Sequence, residues 1–408
     1  MKKEELDKIK KMLPTKSWCP QLLTGISVQK HGLRPCCEFA EDPVPVNNPT
    51  DYKNSRKYKK WIETMERGEW LPACWICKKK EEEGAISQRL SEVKNQLTFR
   101  FEDAENVDLF YEVWKKNEFL WINFQPTSLC NQACIMCNAH DSSKIRDEVK
   151  KNPWAHWHKH PLKPDSVPQP DLSVYKLHEL GRMYLSGGEP SIMKNVMKYI
   201  GSLTETDRYV QVDMNTNFNN FNSLFWETMS GVDNLGVLGS IDAIGERAEY
   251  IRYGCKWEEV KSNVNRFKEI LPNANFRLQP AWGIYNIFYI DEYINWAVEM
   301  DLEIFWHGGV YTPHELSVTY LHPSFKSILL DKIENSRYKE LKNLDLDSLD
   351  HVRNMIKNAT FDSKIFKMTK SHFEINDKLR NLDYRKTFPE FANYIDNVES
   401  LYISTNRV

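Results

Sequence analysis

The chain has 408 residues, long enough for a substantial core and more than one domain. Its 55 Lys and Arg balance 57 Asp and Glu, so no global basic field points to nucleic acid, and no apolar run approaches the roughly 20 residues that span a bilayer. No export signal is read at the start, so the nine cysteines argue against a disulfide framework and suggest reduced thiols of a cytoplasmic protein, serving metals or chemistry.

In chain order, the first region, residues 14–95, opens with Cys19, then a strand-like run from Leu22 to Gln29, a turn at Lys30-His31-Gly32 and a short strand ending at Cys36-Cys37. A Gly-containing turn between two short strands predicts a β-hairpin, which carries Cys36 back towards Cys19. An amphipathic helix over 56–68 follows, then Cys74-Trp75-Ile76-Cys77 opening a helical segment that runs to Asn95. The charge run Lys78-Lys79-Lys80-Glu81-Glu82-Glu83 changes sign within two turns and reads as a solvated helix face.

The second region, 117–315, alternates strand-like apolar runs at 119–125, 182–186, 209–215, 235–241, 275–281 and 303–308 with helical patterns such as 191–203, 219–230, 257–271 and 290–300. This alternation implies βαβ units on a mostly parallel sheet, and six of them predict an α/β fold built as a partial (β/α)6 TIM-like barrel. Chemistry in such a barrel gathers at the carboxyl ends of the strands. The loop at Cys130–Cys137, Gly187-Gly188-Glu189, Asn215-Thr216-Asn217 and Ser240-Ile241-Asp242 all fall at such ends. Residues 154–170 are an insertion rich in Pro, His and Trp, read as a loop with packed tryptophans. The third region, 316–408, is charged and helical, without cofactor motifs.

The densest signal is Cys130-Asn131-Gln132-Ala133-Cys134-Ile135-Met136-Cys137, a C-x3-C-x2-C spacing. Thiolates are soft ligands suited to iron–sulfur clusters. Three on one loop hold three irons of a [4Fe–4S] cube and leave the fourth open, and an open position separates a reactive metal site from a structural one. The competing reading is a zinc knuckle in which His140 adds an imidazole to the three thiolates. Downstream, Gly187-Gly188-Glu189-Pro190 follows a predicted strand. Its glycines permit close backbone approach, and its carbonyls and glutamate supply the acceptors a cationic amine requires, although an ordinary strand-to-helix turn has the same look.

These motifs, with Ser240-Ile241-Asp242 and Tyr250-Ile251-Arg252, resemble the radical S-adenosylmethionine (SAM) superfamily; the likeness covers residues 14–315. It implies that Cys130, Cys134 and Cys137 ligate a cluster whose open iron binds the amino and carboxylate groups of SAM. By the same resemblance, Met136 lies in the loop against the adenine, and Gly187, Gly188 and Glu189 receive the methionine ammonium. Ser240 and Arg252 hold the carboxylate, which the planar arginine fork matches bidentately. Asp242 helps with the ribose or orders its loop. Asn215, Asn217 and Gln279 face ribose or substrate, a satisfied turn or cap being the plainer role for each. His307-Gly308-Gly309 closes around the adenine. The isolated Cys255 reads as a small buried hydrophobe.

Cys19, Cys36, Cys37, Cys74 and Cys77 form a second constellation. Strand neighbours face opposite ways, so one of Cys36 and Cys37 is expected to ligate. Cys74-x2-Cys77, then Glu82-Glu83-Gly84 and Ser87-x-Arg89, resembles a twitch or SPASM-type auxiliary module, here placed before the barrel. The resemblance implies a second [4Fe–4S] cluster on Cys19, Cys36, Cys74 and Cys77, with Cys36 chosen because it follows Pro35 as the ligand does in the family pattern. Zinc is the rival metal, since four thiolates close a tetrahedral site.

The fold expected is therefore a radical SAM barrel with a small N-terminal α+β iron–sulfur module and a helical C-terminal extension. The function expected is an enzyme that reductively cleaves SAM to methionine and a 5′-deoxyadenosyl radical. That radical abstracts hydrogen from an unidentified substrate, with a peptide as the first guess and a reductase or a flavodoxin or ferredoxin as electron donor. The alternative is a non-catalytic protein whose zinc or iron–sulfur centres are structural, redox-sensing or electron-transferring.

Overall fold

The computed structural model describes residues 3–82, 87–95, 107–155, 171–206, 210–306 and 308–405. Its strands in chain order are β1 (Gly25–Gln29), β2 (Gly32–Arg34), β3 (Phe119–Gln125), β4 (Ala133–Cys134), β5 (Leu177–Leu185), β6 (Gln211–Thr216), β7 (Asn234–Gly239), β8 (Arg252–Tyr253), β9 (Asn275–Leu278) and β10 (Glu303–Ile304). The chain divides into two units. Among the described residues, no helix is long and apolar enough to cross a membrane.

The first unit comprises Met1–Ser128, Lys163–Met214 and Leu224–Leu235. Its strands lie in the order β6-β5-β3-β1-β2, with β6 contributing as far as Met214. β3 is buried from Phe119 to Phe124 and apolar there except for Asn123, as a parallel strand between two layers requires. The run Leu22–Gln29, expected to be all strand, is split. Pro20 sits at the first turn of a short helix, Pro20–Thr24, where its missing N–H costs nothing, and β1 starts only at Gly25. The expected hairpin forms, with Ser27 opposite Arg34 and Gln29 opposite Gly32. Gly32 has φ +131°, and a Cβ there would meet the Val44 carbonyl at 2.0 Å, so the turn needs glycine.

β1 also pairs in parallel with β3, Gly25 opposite Trp121 through Gln29 opposite Gln125, so the hairpin extends the parallel sheet rather than standing apart. β5 begins five residues before the expected 182, and a register irregularity lies between Phe119 and Trp121 of its partner strand. The helix Arg56–Glu66 is capped by the Ser55 side chain and buries Tyr58, Trp61, Ile62 and Met65, one face at helical spacing.

The second unit comprises Leu129–Leu162, Asn215–Ser223 and Gly236–Val408. β7 (from Gly236), β9 and β10 run parallel, joined through helices Trp257–Ile270 and Ile290–Glu299, the βαβ pattern anticipated there. β9 and β10 are shorter than read, ending at Leu278 and Ile304. A separate antiparallel ribbon pairs β4 with β8. After residue 316 come the helices Lys326–Asn335, Leu346–Lys357, Ser363–Arg380, Tyr384–Thr387 and Pro389–Thr405. Phe373 anchors this part: it is fully buried, with Tyr250, Tyr285, Tyr384 and Phe391 ring centroids 4.8–6.1 Å away.

Candidate metal centres

In the second unit the three-cysteine loop is tied down at several points. Cys134 lies opposite Arg252 in the β4–β8 ribbon, and Ile135 N–H donates to the Ile251 carbonyl at 2.9 Å. Ser143 Oγ accepts from Cys130 N–H at 3.1 Å, and Ser142 Oγ donates to the Gln132 carbonyl at 2.8 Å while capping helix Ser143–Lys151. Asn131 takes 2.8 Å and 3.1 Å bonds with Asn217 and the Asn219 carbonyl. Gly254 closes the ribbon at φ +97°, where a Cβ would stand 3.0 Å from the Asn131 carbonyl. Beneath the loop, Ala133, Ala139 and Ile145 form a small core against which Cys137 packs.

Charge shapes this loop as much as packing does. Burial pushes the Cys134 thiol up, and Arg252, with Nη1 3.8 Å from the sulfur, opposes that rise. The Cys137 thiol is pushed well up by burial and then by Cys134, with Asp141 and Cys130 adding to it. Cys137 therefore feels both of the other sulfurs. Burial alone would disfavour the Arg252 charge, but Asp242 and Cys134 more than offset it and keep the guanidinium ionised. Asp242 is buried, with Oδ2 2.7 Å from Arg252 Nε and Oδ1 accepting from Ala281 N–H at 2.8 Å.

Around this group, Ser240 N–H donates to the Thr216 carbonyl at 2.8 Å and Gln279 N–H to the Gly239 carbonyl at 2.8 Å. Buried atoms of Asn215 (Oδ1), Gln132 (Nε2) and Tyr285 (the hydroxyl) have no hydrogen-bond partner. Met136 is half-buried. Cys255 is buried, and its thiol is pushed up to about 12 by burial, with Arg252 opposing.

The Gly-Gly-Glu-Pro turn belongs to the first unit. Gly187 and Gly188 take φ +74° and +56°, and a Cβ on Gly187 would stand 3.0 Å from Gln125 Cβ. A polar chain supports the turn from below: Gln125 Nε2 donates to Ser186 Oγ at 2.8 Å, and Ser186 Oγ to Asn123 Oδ1 at 3.0 Å. Glu189 is buried, and its Oε1 accepts from Ser191 N–H at 3.1 Å, so at least one oxygen caps its own turn.

Also in the first unit, Cys19, Cys36, Cys74 and Cys77 line one small cavity with Gln21, Glu38, Trp70 and Arg89. Cys37 is not among the lining residues; its carbonyl accepts from Arg34 Nη2 at 2.9 Å. Burial pushes the Cys36 thiol well up, and Cys19, Cys37, Cys74 and Cys77 add to it. Burial likewise pushes Cys19 up to about 12, with Cys77 adding and Arg89 opposing. Cys77 Sγ lies 3.6 Å from Glu38 Oε2, and Glu38 pairs with Lys80 at 2.9 Å. Arg89 is buried, with Nε and Nη2 on Glu81 at 2.8 and 2.6 Å and its guanidinium 4.8 Å from the Trp70 ring centroid. Both amide atoms of buried Gln21 lack partners.

These donor sets fit iron–sulfur clusters. Thiols gathered in buried space resist losing their protons to water, and bound iron supplies the positive charge that makes them thiolates. Gln21, both of whose amide atoms lack partners, lines the cavity with Cys19, Cys36, Cys74 and Cys77, and Gln132 Oε1 stands 3.8 Å from Cys134 Sγ. Among the described residues, no three His, Cys, Asp or Glu are arranged to hold a single metal ion; a cluster asks less, since each thiolate binds a different iron. His156, His158, His160 and His307 lie outside the described residues. Sequence reasoning attached no role to Gln21, Tyr285 or Arg380. Arg89 stood within a quoted motif, but its Glu81 partner had been read as part of a solvated face.

The chain matches no family model and no curated protein. Solved structures to which it is similar include Streptococcus suis SuiB bound to S-adenosylmethionine, at 12% identity and TM-score 0.35 over 77% of this chain and 67% of that one. SuiB bound to precursor peptide SuiA aligns at 13% identity and TM-score 0.32, over 74% and 64%. Native anSMEcpe with bound AdoMet and Cp18Cys peptide aligns at 15% identity and TM-score 0.36, over 59% and 62%.

Proposed function

We propose that this protein is a radical SAM enzyme with a second, auxiliary iron–sulfur cluster. The observation that carries the reading is the three-cysteine loop: three half-buried thiols on one short segment, with Arg252 3.8 Å from Cys134 and held there by Asp242. When bound, a cluster reduced by an external donor would supply the one electron that cleaves SAM to methionine and a 5′-deoxyadenosyl radical.

The chain's own work is ligation, orientation and exclusion of water. Cys130, Cys134 and Cys137 ligate. Arg252 offsets the thiolate charge and, with Ser240, takes the SAM carboxylate. Asp242 pairs its charge with Arg252 through Oδ2 and orders its loop through Oδ1, which accepts from Ala281 N–H, while Oδ2 keeps room for a hydrogen-bond donor such as a ribose hydroxyl. Asn215 offers a buried amide oxygen in want of a donor, which a ribose hydroxyl supplies. Gly187, Gly188 and Glu189 receive the ammonium, and Met136 lies against the adenine. Cys19, Cys36, Cys74 and Cys77 hold the second cluster. A peptide is the substrate class that the resemblance implies, and a partial (β/α)6 barrel is the framework it implies.

Metal analysis and electron paramagnetic resonance test this reading together. Anaerobically reconstituted protein should carry about eight irons per chain, as two cubane clusters demand. The signal of the reduced protein should change on adding SAM. Zinc in place of iron at the three-cysteine loop, or a cluster signal indifferent to SAM, contradicts the proposal.

A further inference from the structure

Helix Ser363–Arg380 turns a polar stripe into the second unit. Thr369, His372, Asn376 and Arg380, three and four residues apart, are all buried. Buried polar side chains destabilise a core unless they hold something in place. Thr369 and His372 do so locally, on the Glu315 carbonyl and carboxylate. Asn376 lies near the Tyr250 hydroxyl without a well-formed hydrogen bond at either amide atom.

Arg380 reaches further. Its side chain is 1% exposed. Nε and Nη2 meet the two Glu148 oxygens at 3.1 and 2.9 Å, the bidentate fork geometry, and its guanidinium lies 4.9 Å from the Tyr253 ring centroid. Glu148 stands on helix Ser143–Lys151, which leads away from Cys137. Tyr253 is in β8, opposite Ala133 of the cysteine loop and next to Arg252, which is opposite Cys134. One side chain thus grips both the strand that backs Cys134 and the helix that follows Cys137. Its Nη1 is buried without a hydrogen-bond partner. Through Tyr253 its charge stands one strand position from Arg252, the residue opposite Cys134.

We propose that Arg380 is a positioning residue for the three-cysteine centre, clamping the loop between Glu148 and Tyr253 and holding a second positive charge near Cys134, so that the C-terminal region is part of the metal site. The proposal rests on the cluster reading above. A cluster gains negative charge on reduction, so a fixed cation favours its reduced form and a fixed anion disfavours it. Arg380 and Glu148 therefore act on the potential in opposite directions. A purely structural clamp has no such sign, because loss of either partner loosens the same contact.

The test is a redox titration of the anaerobically reconstituted full chain, following the paramagnetic signal that Cys134→Ala abolishes, in the parent, Arg380→Met, Arg380→Lys and Glu148→Gln. At the poise where the parent is half reduced, Arg380→Met should lower the reduced-to-oxidised ratio about tenfold, equivalent to about 59 mV for a one-electron couple. Glu148→Gln should raise the ratio, and Arg380→Lys should restore it to within about twofold of the parent. If Arg380→Met retains no cluster, Glu148→Gln decides by itself: a raised ratio supports the proposal, and an unchanged or lowered one overturns it. Shifts of the same sign in Arg380→Met and Glu148→Gln, or no shift with iron content intact, overturn this proposal alone. A parent that takes up no iron overturns the cluster reading and this proposal with it.

Discussion

Buried thiols resist ionisation, and each of the two cysteine groups here is met by a guanidinium, half-buried at Arg252 and buried at Arg89, that brings its own carboxylate. Arg252 with Asp242 faces Cys134; Arg89 with Glu81 lies by Cys19 and Cys74. Asp242 keeps Arg252 charged, and removing one member of a buried charge pair costs about 3–5 kcal/mol because the other is left uncompensated. The same residue-scale detail separates Cys36 from Cys37. Cys36 feels Cys19, its neighbour Cys37, Cys74 and Cys77, whereas Cys37 answers, after burial, to Glu38 and Arg34. Cys36→Ser is therefore expected to lower the iron content of reconstituted protein by about four atoms per chain, the complement of one cubane, while Cys37→Ser leaves it unchanged. Equal losses from both variants would contradict that assignment.

At the scale of elements, the two-residue ribbon of β4 and β8 carries more of the site than its length suggests. It fixes Cys134 opposite Arg252, and it is closed by Gly254 in a left-handed conformation beneath the Asn131 carbonyl. Gly254→Ala should destabilise the protein by about 1–3 kcal/mol, seen as a lower urea midpoint, and should speed cluster loss in air; a variant as stable and as iron-retentive as the parent would show that the ribbon yields without consequence.

Elements were legible in the sequence where one physical signal stood alone. β3 begins and ends at the residues its largely apolar run marks, because both its faces are covered and its buried Asn123 is hydrogen-bonded. β5 starts at Leu177, earlier than read, because His178, Glu179 and Gly181 interrupt the apolar pattern within the strand. The helical start of the 20–29 segment was hidden because Leu22 and Leu23 suit either period; Pro20 was the available cue. The parallel pairing of β1 with β3 joins segments some ninety residues apart and leaves no local trace.

At the scale of the whole molecule, each unit carries one cysteine constellation: four thiols around a cavity in the first, the three-cysteine loop in the second. The grouping of thiols was visible in the sequence because cysteine spacing on a short loop, or across a hairpin, is a local property. The partners that set their charge were not, because Arg252 and Arg380 come to Cys134 from 118 and more residues away, and helical periodicity alone presents Arg380 as the end of a charged surface helix. The claim on which everything else depends is reductive cleavage of SAM. The most direct measurement is 5′-deoxyadenosine, by mass spectrometry, from anaerobically reconstituted protein given SAM and dithionite, with Cys134→Ala alongside. The account predicts product from the parent and none above background from the variant; equal yields from both, or none from a parent with its clusters intact, would contradict it.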